Sequence, residues 1–275
     1  MAKKSKPRPQ PESLRLPLVG IDTHAHLDLE HFKEDQLDEV FAAARRAGVS
    51  RIGNVFLGPQ AYDLNRERFT GRPEVFFLMA VHPNDTAAFS PTDIELMRER
   101  FQADDRLKAI GETGLDYYWK RVPEAVQKAA FRAHLDLARE LKLPVVIHSR
   151  DADEDTMTLL VEEGFKDRPV LWHCFGGSPE MAAAVLNNGW HISIPGPVTY
   201  AANEALRRAI PLIPLNRLVI ETDSPYLTPE PWRGKQNHPA LVAFTAAKIA
   251  EVKAMEPAEL WRATARTARE FFRLD

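Results

Sequence analysis

The sequence has little of several features that mark particular classes of protein. It contains one cysteine, Cys174, in 275 residues, which excludes an intrachain disulfide and predicts a reducing compartment, the cytoplasm. The formal net charge of −3 argues against a protein that coats nucleic acid through bulk electrostatics. No apolar run is long enough to cross a bilayer, and the first residues lack the apolar segment of a secretory signal. We therefore expect no membrane among its partners.

The start of the chain differs in composition from the rest. Residues 1–17 are basic and rich in proline, which predicts a flexible N-terminal tail, with a weak electrostatic arm for a polyanion as the alternative. After it, no linker, low-complexity tract or short repeat interrupts the sequence. Hydrophobic residues make up 44% of the chain, enough for a sizeable core, so we expect one domain over residues 18–275.

Short β-branched runs alternate with amphipathic segments along this domain. The predicted strands are 19–26, 51–57, 75–82, 107–113, 144–149, 169–174, 190–195 and 218–223. The predicted helices are 34–47, 94–101, 122–141, 153–163, 179–188, 203–210, 239–252 and 257–272, with 59–68 the least helix-like segment. Repeated strand–helix units imply parallel strands joined by right-handed crossovers, and eight of them fit a (β/α)8 TIM barrel. A doubly wound open sheet is the alternative, but it would bind at one switch point and would not draw polar residues from five strands.

Residues that bind metals stand at the ends of five of these strands. They are His24, His26, Glu112, His148, His173 and Asp223, each placed where an apolar run meets a loop. His24 and His26 are two positions apart in one strand, so their side chains face the same way. Four imidazoles and two carboxylates are too many for one tetrahedral ion. We therefore predict two metal ions about 3.5–4 Å apart with one bridging carboxylate, and Glu112 has the central strand position for that bridge.

The charge of such a site also indicates a class of substrate. Two divalent ions offset by two carboxylates leave a surplus of about two positive charges. A hydroxide takes up part of that surplus, and an anionic substrate such as a phosphodiester takes up the rest. The sequence thus favours phosphoryl chemistry over the hydrolysis of neutral amides.

Seven segments of the chain resemble the motifs of one known family. They are IDTHAHLD from Ile21, AVHPND from Ala80, AIGETGLDYY from Ala109, VVIHSRDA from Val145, WHCFGG from Trp172, ETDSPYLTP from Glu221 and RGKQNHP from Arg233. In this order they resemble the successive motifs of the TatD family of metal-dependent deoxyribonucleases, within the amidohydrolase superfamily. The resemblance extends from about residue 19 to the end of the chain.

The resemblance implies a TIM barrel that binds two divalent ions and hydrolyses DNA as a 3′–5′ exonuclease on single strands. It implies that one ion is held by His24, His26, Glu112 and Asp223, and the other by Glu112, His148 and His173. The family is described with magnesium, whereas four imidazoles favour zinc, manganese, nickel or iron as the bound ion. We expect a transition metal in the purified protein, with magnesium or manganese supporting activity in assays.

Two positions depart from the family's pattern. His238 stands where the family usually has glutamate, which removes a carboxylate beside the substrate loop. Pro195 stands where a small or polar residue is common. Neither position is a predicted metal ligand, so the departures bear on specificity and leave the hydrolase prediction intact.

Other residues are predicted to act around the ions. The resemblance makes His82 a contact to a substrate phosphate, and the alternative is a strand-end histidine bonded to a backbone carbonyl. Arg150, Arg233 and Lys235 lie in loops after strands five and eight and are predicted to clamp phosphates.

Two carboxylates and a group of aromatic residues complete the predicted site. From strand phase, Asp22 and Glu221 lie one step deeper than the ligands and are predicted to fix histidine tautomers. Aromatic residues in loops on the same face are candidates for stacking on bases, namely Tyr117, Tyr118, Trp119, Phe175, Tyr226 and Trp232.

The predicted activity is hydrolysis of a phosphodiester by a hydroxide that two metals activate, with Asp223 as the proton acceptor and Glu112 as the bridge. DNA, single-stranded or at its 3′ ends, is the expected substrate, bound weakly and without sequence specificity. A small-molecule amidohydrolase or lactonase on the same barrel is the alternative enzyme. A metal-binding scaffold without catalysis is the alternative outside enzymes, and the oligomeric state is left open.

Overall fold

In a computed structural model, which describes residues 8–275, the chain forms a nearly closed barrel of eight parallel strands. The strands are β1 (Gly20–Ala25), β2 (Val49–Leu57), β3 (Val75–Ala80), β4 (Leu107–Asp116), β5 (Val145–Arg150), β6 (Val170–Trp172), β7 (His191–Ile194) and β8 (Leu218–Ile220). Each strand is hydrogen-bonded to the one before it in the chain, in the order β1 to β8. The predicted (β/α)8 TIM barrel is therefore confirmed, and the alternative doubly wound sheet is wrong.

Helices follow the strands around the outside of the barrel. They are α1 (Glu34–Arg46), α2 (Pro59–Asn65), α3 (Pro91–Ala103), α4 (Glu124–Leu141), α5 (Asp153–Glu162), α6 (Pro179–Asn187), α7 (Glu204–Ala209), α8 (Val242–Val252) and α9 (Pro257–Phe272). The segment 59–68, the least helix-like in sequence, is a short α-helix followed by a 3-10 turn at Arg66–Phe69. Within the described residues, no helix is both long and apolar enough to span a membrane.

The barrel closes where β1 meets the chain that follows β8. Ala25 pairs with Ser224 in a parallel bridge, and the backbone N–H of His26 donates to the carbonyl of Ser224 at 2.7 Å. The N–H of Asp223 donates to the carbonyl of His24 at 2.9 Å. The hydrogen bonds that close the barrel thus bring three of the predicted ligands side by side.

The inside of the barrel changes from apolar to polar toward the carboxyl ends of the strands. Val146 and Leu171 belong to one buried apolar cluster, and each stands two positions before a predicted ligand, His148 or His173. Residues two apart in a strand share a face, so these ligands continue the inward-facing rows. Ile147, on the opposite face of β5, belongs to a larger cluster that also contains residues of the helices.

Strand lengths differ from the predicted ones at three places that matter for the site. β6 and β8 end before the predicted limits, and Cys174 (φ 50°) and Asp223 (φ 54°), in the segments that follow them, adopt the left-handed conformation. β4 is longer than predicted and continues to Asp116. Two ligand candidates therefore lie on turns, and a further carboxylate is added to a strand end.

Residues 8–17 pack on the barrel, which differs from the predicted flexible tail. They include a 3-10 helix at Pro11–Leu14, and the indole N–H of Trp232 donates to the carbonyl of Pro9 at 2.8 Å. Proline lacks an N–H but keeps its carbonyl, so Pro9 takes part in this contact as an acceptor. Residues 1–7 of the predicted tail lie outside the described residues.

Candidate metal centre

Four donor atoms converge at the closing seam of the barrel. Nε2 of His26 lies 3.5 Å from both Oε1 of Glu112 and Oδ1 of Asp223, and Nε2 of His24 lies 3.8 Å from the same two oxygens. The two imidazole nitrogens are 3.3 Å apart. Both histidines and Glu112 are buried. The structure thus brings together the four residues predicted for the first ion.

A second group of donors surrounds the other oxygen of the same carboxylate. Oε2 of Glu112 lies 3.2 Å from Nδ1 of His148 and 3.2 Å from Nε2 of His173. These are the three residues predicted for the second ion. One carboxylate therefore presents one oxygen to each group, which is the arrangement of a bridging ligand.

Both groups fit divalent ions in donor chemistry and in spacing. Bonds of about 2.0–2.2 Å from nitrogen and oxygen to an ion such as zinc place neighbouring donors about 3–3.6 Å apart. The separations within the two groups run from 3.2 to 3.8 Å, within that range or about 0.2 Å above it. Imidazole nitrogens combined with carboxylate oxygens suit zinc, manganese, nickel and iron. The residues present therefore fit the two ions that the sequence predicts.

The outer ring nitrogens of His26 and His148 each meet an acceptor, which directs the lone pair of the other ring nitrogen at the centre. Nδ1 of His26 lies 3.2 Å from the carbonyl of Val55, which accepts its proton and leaves Nε2 free to bind a metal. Nε2 of His148 lies 3.1 Å from Oδ2 of Asp116. Such outer partners fix the tautomer and raise the basicity of a ligating histidine.

Glu221 lies beside His173, the position from which it is predicted to fix a histidine tautomer. Its Oε1 lies 2.9 Å from Nδ1 of His173 and accepts the backbone N–H of Cys174 at 2.7 Å, while Oε2 accepts the hydroxyl of Ser193 at 2.6 Å. Three contacts hold this buried carboxylate in one orientation. Glu221 therefore stabilises a proton on the outer nitrogen of His173.

Asp22 does not have the role predicted for it. Its two oxygens accept the backbone N–H and the hydroxyl of Thr222 at 2.8 and 2.6 Å. On the other side of the same turn, Asn237 donates its side-chain N–H to the carbonyl of Thr222 at 2.9 Å. Asp22 thus fixes the turn that carries Asp223, and it does not set the tautomer of a histidine ring.

The close packing of imidazoles and carboxylates shifts pKa values in opposite directions. Burial alone would raise the pKa of Glu112, but the surrounding imidazoles, with His173 foremost, hold that pKa well below its usual range. Burial alone would lower the pKa of His26, but Asp223 and Glu112 raise it to about 9. Strong shifts caused by specific charged partners are typical of a functional centre.

The chain resembles known proteins over nearly its whole length. The family model of TatD related DNase matches residues 21–273. The chain belongs to the TatD family. Two bacterial TatD relatives, each named an uncharacterized metal-dependent hydrolase, are 38% identical to it. They are YabD of Bacillus subtilis (strain 168), over 93% of this chain and 99% of its own length, and YcfH of Escherichia coli (strain K12), over 93% and 96%.

A solved TatD structure has the same fold. The crystal structure of YjjV, a TatD homologue from Escherichia coli K12, matches 94% of this chain and 99% of its own with a TM-score of 0.86 and 24% identity. The resemblance inferred from the motifs is confirmed. This TatD chain is a metal-dependent hydrolase with several groups of histidine, aspartate and glutamate residues placed to hold metal ions.

His82 stands beside the second group of donors and is oriented as a hydrogen-bond donor. Its Nδ1 accepts the backbone N–H of Asn84 at 3.1 Å, so the proton of the neutral ring is on Nε2. Its ring centroid is 4.4 Å from that of His148. Burial, followed by the charge of His148, lowers the pKa of His82 to about 3. The ring is therefore neutral at physiological pH and donates through Nε2.

The three cations predicted to clamp phosphates are less closely tied to the centre. Arg150 is exposed two positions after His148. The guanidinium of Arg233 lies over the ring of Tyr200 at 4.3 Å, and Lys235 is exposed. Within residues 8–275, none of the three side chains is seen in contact with the metal-binding groups. Their role toward phosphate stays a prediction.

Asp116 is a residue of the centre that is absent from the predicted site. This carboxylate is almost fully buried and accepts four hydrogen bonds, from His148 Nε2, from Asn84 Nδ2 and from the backbone N–H groups of Tyr118 and Trp119. Burial alone would raise its pKa, but the hydrogen bond from His148 and the other donors hold the pKa far below the usual value. A signal was present, because Asp116 stands in the GETGLD segment at an even spacing from Glu112 and so shares its face of an extended strand.

Proposed function

We propose that this TatD-family hydrolase is a phosphodiesterase that uses two divalent ions and cuts single-stranded DNA from its 3′ end. The observation that carries the proposal is the sharing of Glu112, whose oxygens each face one group of donors at 3.2–3.8 Å. Zinc, manganese, nickel or iron is the expected resident ion on donor chemistry, and added magnesium or manganese is expected to support turnover. When bound, such ions lower the pKa of a water molecule and polarise a phosphoryl oxygen.

The protein itself supplies a proton acceptor beside the ions. Burial would raise the pKa of Asp223, but His26, His173 and His24 hold it below the usual value. The carboxylate is thus ionised at neutral pH and lies at the first group of donors. Asp223 therefore accepts a proton from the attacking water and returns it to the leaving oxygen.

His82 supports an anionic substrate through a fixed donor. Its Nε2–H is the free donor of a neutral ring, and the backbone of Asn84 holds that ring in place. A neutral donor binds a phosphate oxygen without adding a charge to the site. This fits the predicted contact with a substrate phosphate.

The site carries more negative charge than the sequence predicts, because two more carboxylates contact the ligating histidines. Glu112, Asp223, Asp116 and Glu221 together would balance two divalent ions. The attraction of the site for a polyanion then depends on cations at its rim, of which Arg150 is the nearest in the chain to a ligand. We expect weak binding that depends on salt concentration.

The test is a paired measurement on the wild type and the Glu112→Gln variant. Metal content is measured by elemental analysis, and cleavage is followed on single-stranded DNA labelled at the 5′ or at the 3′ end, with manganese. Glu140→Gln is the matched control, because Glu140 is an exposed glutamate whose ion-pair partner is a surface arginine, Arg98.

Each outcome has a definite meaning. Two ions per chain and stepwise shortening of the 5′-labelled strand in the wild type and in Glu140→Gln, but not in Glu112→Gln, support the proposal. Internal fragments without stepwise products would contradict the exonuclease assignment. Two ions without any DNA cleavage would contradict the nuclease and direct the search to small esters, lactones and amides.

A further inference from the structure

Two aromatic side chains stand exposed at the rim of the barrel on the loop that follows β4. Tyr118 is 50% exposed and Trp119 is 49% exposed, and their ring centroids are 5.0 Å apart at an angle of 88°. The guanidinium of Arg150 lies 3.8 Å from the ring of Tyr118 and 5.6 Å from that of Trp119. The guanidinium of Arg121 lies 4.9 Å from the ring of Trp119. These four residues are called the rim platform below.

The rim platform is tied to the metal centre through one buried carboxylate. Oδ1 of Asp116 accepts the backbone N–H groups of Tyr118 and Trp119, each at 3.1 Å. Oδ2 of the same residue lies 3.1 Å from Nε2 of His148. Arg150 is two positions after His148 at the end of β5. The ends of β4 and β5 therefore hold the rim platform next to His148, a candidate ligand.

The structure separates this pair from three of the four other aromatic candidates on the same face. The hydroxyl of Tyr117 donates to Asp155 at 2.7 Å, and Phe175 is fully buried. The indole N–H of Trp232 is used by the carbonyl of Pro9. These three residues support the protein itself, whereas the rings of Tyr118 and Trp119 are presented to solvent between two guanidinium groups.

We propose that the rim platform binds an unpaired nucleobase of the substrate strand, on the side of the centre where β4 and β5 end. The proposal rests on the proposed nuclease function and adds to it a place where the strand is gripped. An aromatic face stacks on any base, and the flanking guanidinium groups attract the phosphates on either side of that base. Duplex DNA keeps its bases stacked inside the helix, so this platform would select single-stranded segments.

The chemistry of the platform favours a nucleic acid over a protein partner. Large exposed apolar patches mark protein interfaces. The aromatic surface of the rim platform consists of two rings, each with a cation above it. A base with its flanking phosphates matches both the rings and the charges, whereas an apolar side chain of a partner would leave the guanidinium groups facing it without an anion.

The experiment removes the ring and the base separately and together. The variants are Trp119→Ala and Tyr118→Ala, with Trp119→Phe retaining an aromatic face and Leu212→Ala as a control for the loss of an exposed apolar side chain elsewhere. The substrates are a single-stranded oligonucleotide, the same strand with an abasic residue at successive positions, and bis(p-nitrophenyl) phosphate. The readout is kcat/KM for each pair of protein and substrate.

We expect Trp119→Ala to lower kcat/KM on the intact oligonucleotide about 5- to 100-fold, the range that corresponds to the loss of one base stack. Trp119→Phe should recover part of that loss. One abasic position should cause a similar loss in the wild type and no further loss in Trp119→Ala. Hydrolysis of the small ester should be unchanged in Trp119→Ala, in Trp119→Phe and in Leu212→Ala.

Three results would overturn the proposal. Abasic substitutions that cost the wild type and Trp119→Ala equally would show that no base contacts the ring. A loss on the small ester that equals the loss on the oligonucleotide would show that the ring only supports the centre. If the wild type hydrolyses the small ester but leaves the oligonucleotide intact, both the nuclease function and the base-binding role of the platform are wrong. The first two results would contradict the platform alone.

Discussion

Replacing Asp116 by asparagine tests whether this carboxylate controls the tautomer of His148. Oδ2 of Asp116 now accepts from His148 Nε2 at 3.1 Å and from Asn84 Nδ2 at 2.9 Å, and Oδ1 accepts two backbone N–H groups. An asparagine offers one oxygen and one NH2 group, so in either orientation its NH2 group faces two donors. The easiest relief is to move the proton of His148 from Nε2 to Nδ1, where it points at Oε2 of Glu112.

The size of the effect follows from the number and type of contacts that are lost. One charge-assisted hydrogen bond is worth about 1.5–3 kcal/mol. A proton on Nδ1 of His148 also removes the lone pair that faces the second group of donors. We expect Asp116→Asn to weaken binding of one of the two ions about 10- to 100-fold, as is typical when the outer partner of a ligating histidine is removed.

The assay is metal affinity by competition with a chromophoric chelator, together with activity at saturating manganese. The control is Asp155→Asn, because Asp155 also holds a tyrosine hydroxyl and a lysine, and among residues 8–275 it contacts no histidine. The expected pattern is one tight and one weakened ion in Asp116→Asn, and two tight ions in the control. Two tight ions in a folded Asp116→Asn protein would refute the tautomer argument.

Four further results are expected from the same structure. Asp223→Asn should lower kcat by about 10²–10⁴-fold, the share of a general base, while most of the metal is retained; an equal loss of metal and turnover would contradict the base role. Gly114→Ala should destabilise the protein by more than about 1 kcal/mol in urea unfolding, since Gly114 has φ +144° and an added Cβ would lie 2.0 Å from the carbonyl of His148. Burial lowers the pKa of His134 to about 4 from 6.5, so the neutral ring stabilises the fold fully above pH 6.5. The free energy of unfolding should then fall by about 3 kcal/mol as the pH drops to 4. His134→Gln can still accept the N–H of Val81, and it should show a smaller fall in urea unfolding over that range. Chelation should lower the unfolding free energy by about 4 kcal/mol for each ion that is supplied at about 1,000 times its dissociation constant, and an unchanged melting temperature would show that the ions do not bind the folded state preferentially.

The strand positions could be predicted because the sequence carries two independent signals for them. Apolar β-branched runs mark each strand, and each run ends on a residue with metal-binding chemistry at a loop, as with His148 after Val145–Ile147. Parallel strands in a barrel bring their carboxyl ends to one face. Residue type and position therefore predict which side chains meet. Their separations of 3.2–3.8 Å depend on the turns at Cys174 and Asp223, which composition does not reveal.

The two errors at the site have local backbone causes. The strand phase applied to Asp22 assumes regular alternation, but the pairing of β1 with β2 is shifted between Asp22 and Ala25, so the phase is lost there. The carboxylate then meets Thr222. Asp116 was missed because the strand stays regular where the sequence indicates that it ends. Gly114 suggests a turn, whereas β4 continues through it with a positive φ and keeps Asp116 at the strand end.

Closure of the barrel and assembly of the metal centre depend on the same few hydrogen bonds. The N–H of Asp223 donates to the carbonyl of His24, so one candidate ligand is positioned by the backbone of another. His26 donates its backbone N–H to Ser224 and its ring proton to the carbonyl of Val55, which ties the first group of donors to β2 and to the seam at once. Opening the seam would separate these donors, and ions that hold them together would oppose the opening. β8 is only three residues long. The residues that follow it are held by the hydrogen bonds of the seam, and bound ions would hold them further through the donor side chains.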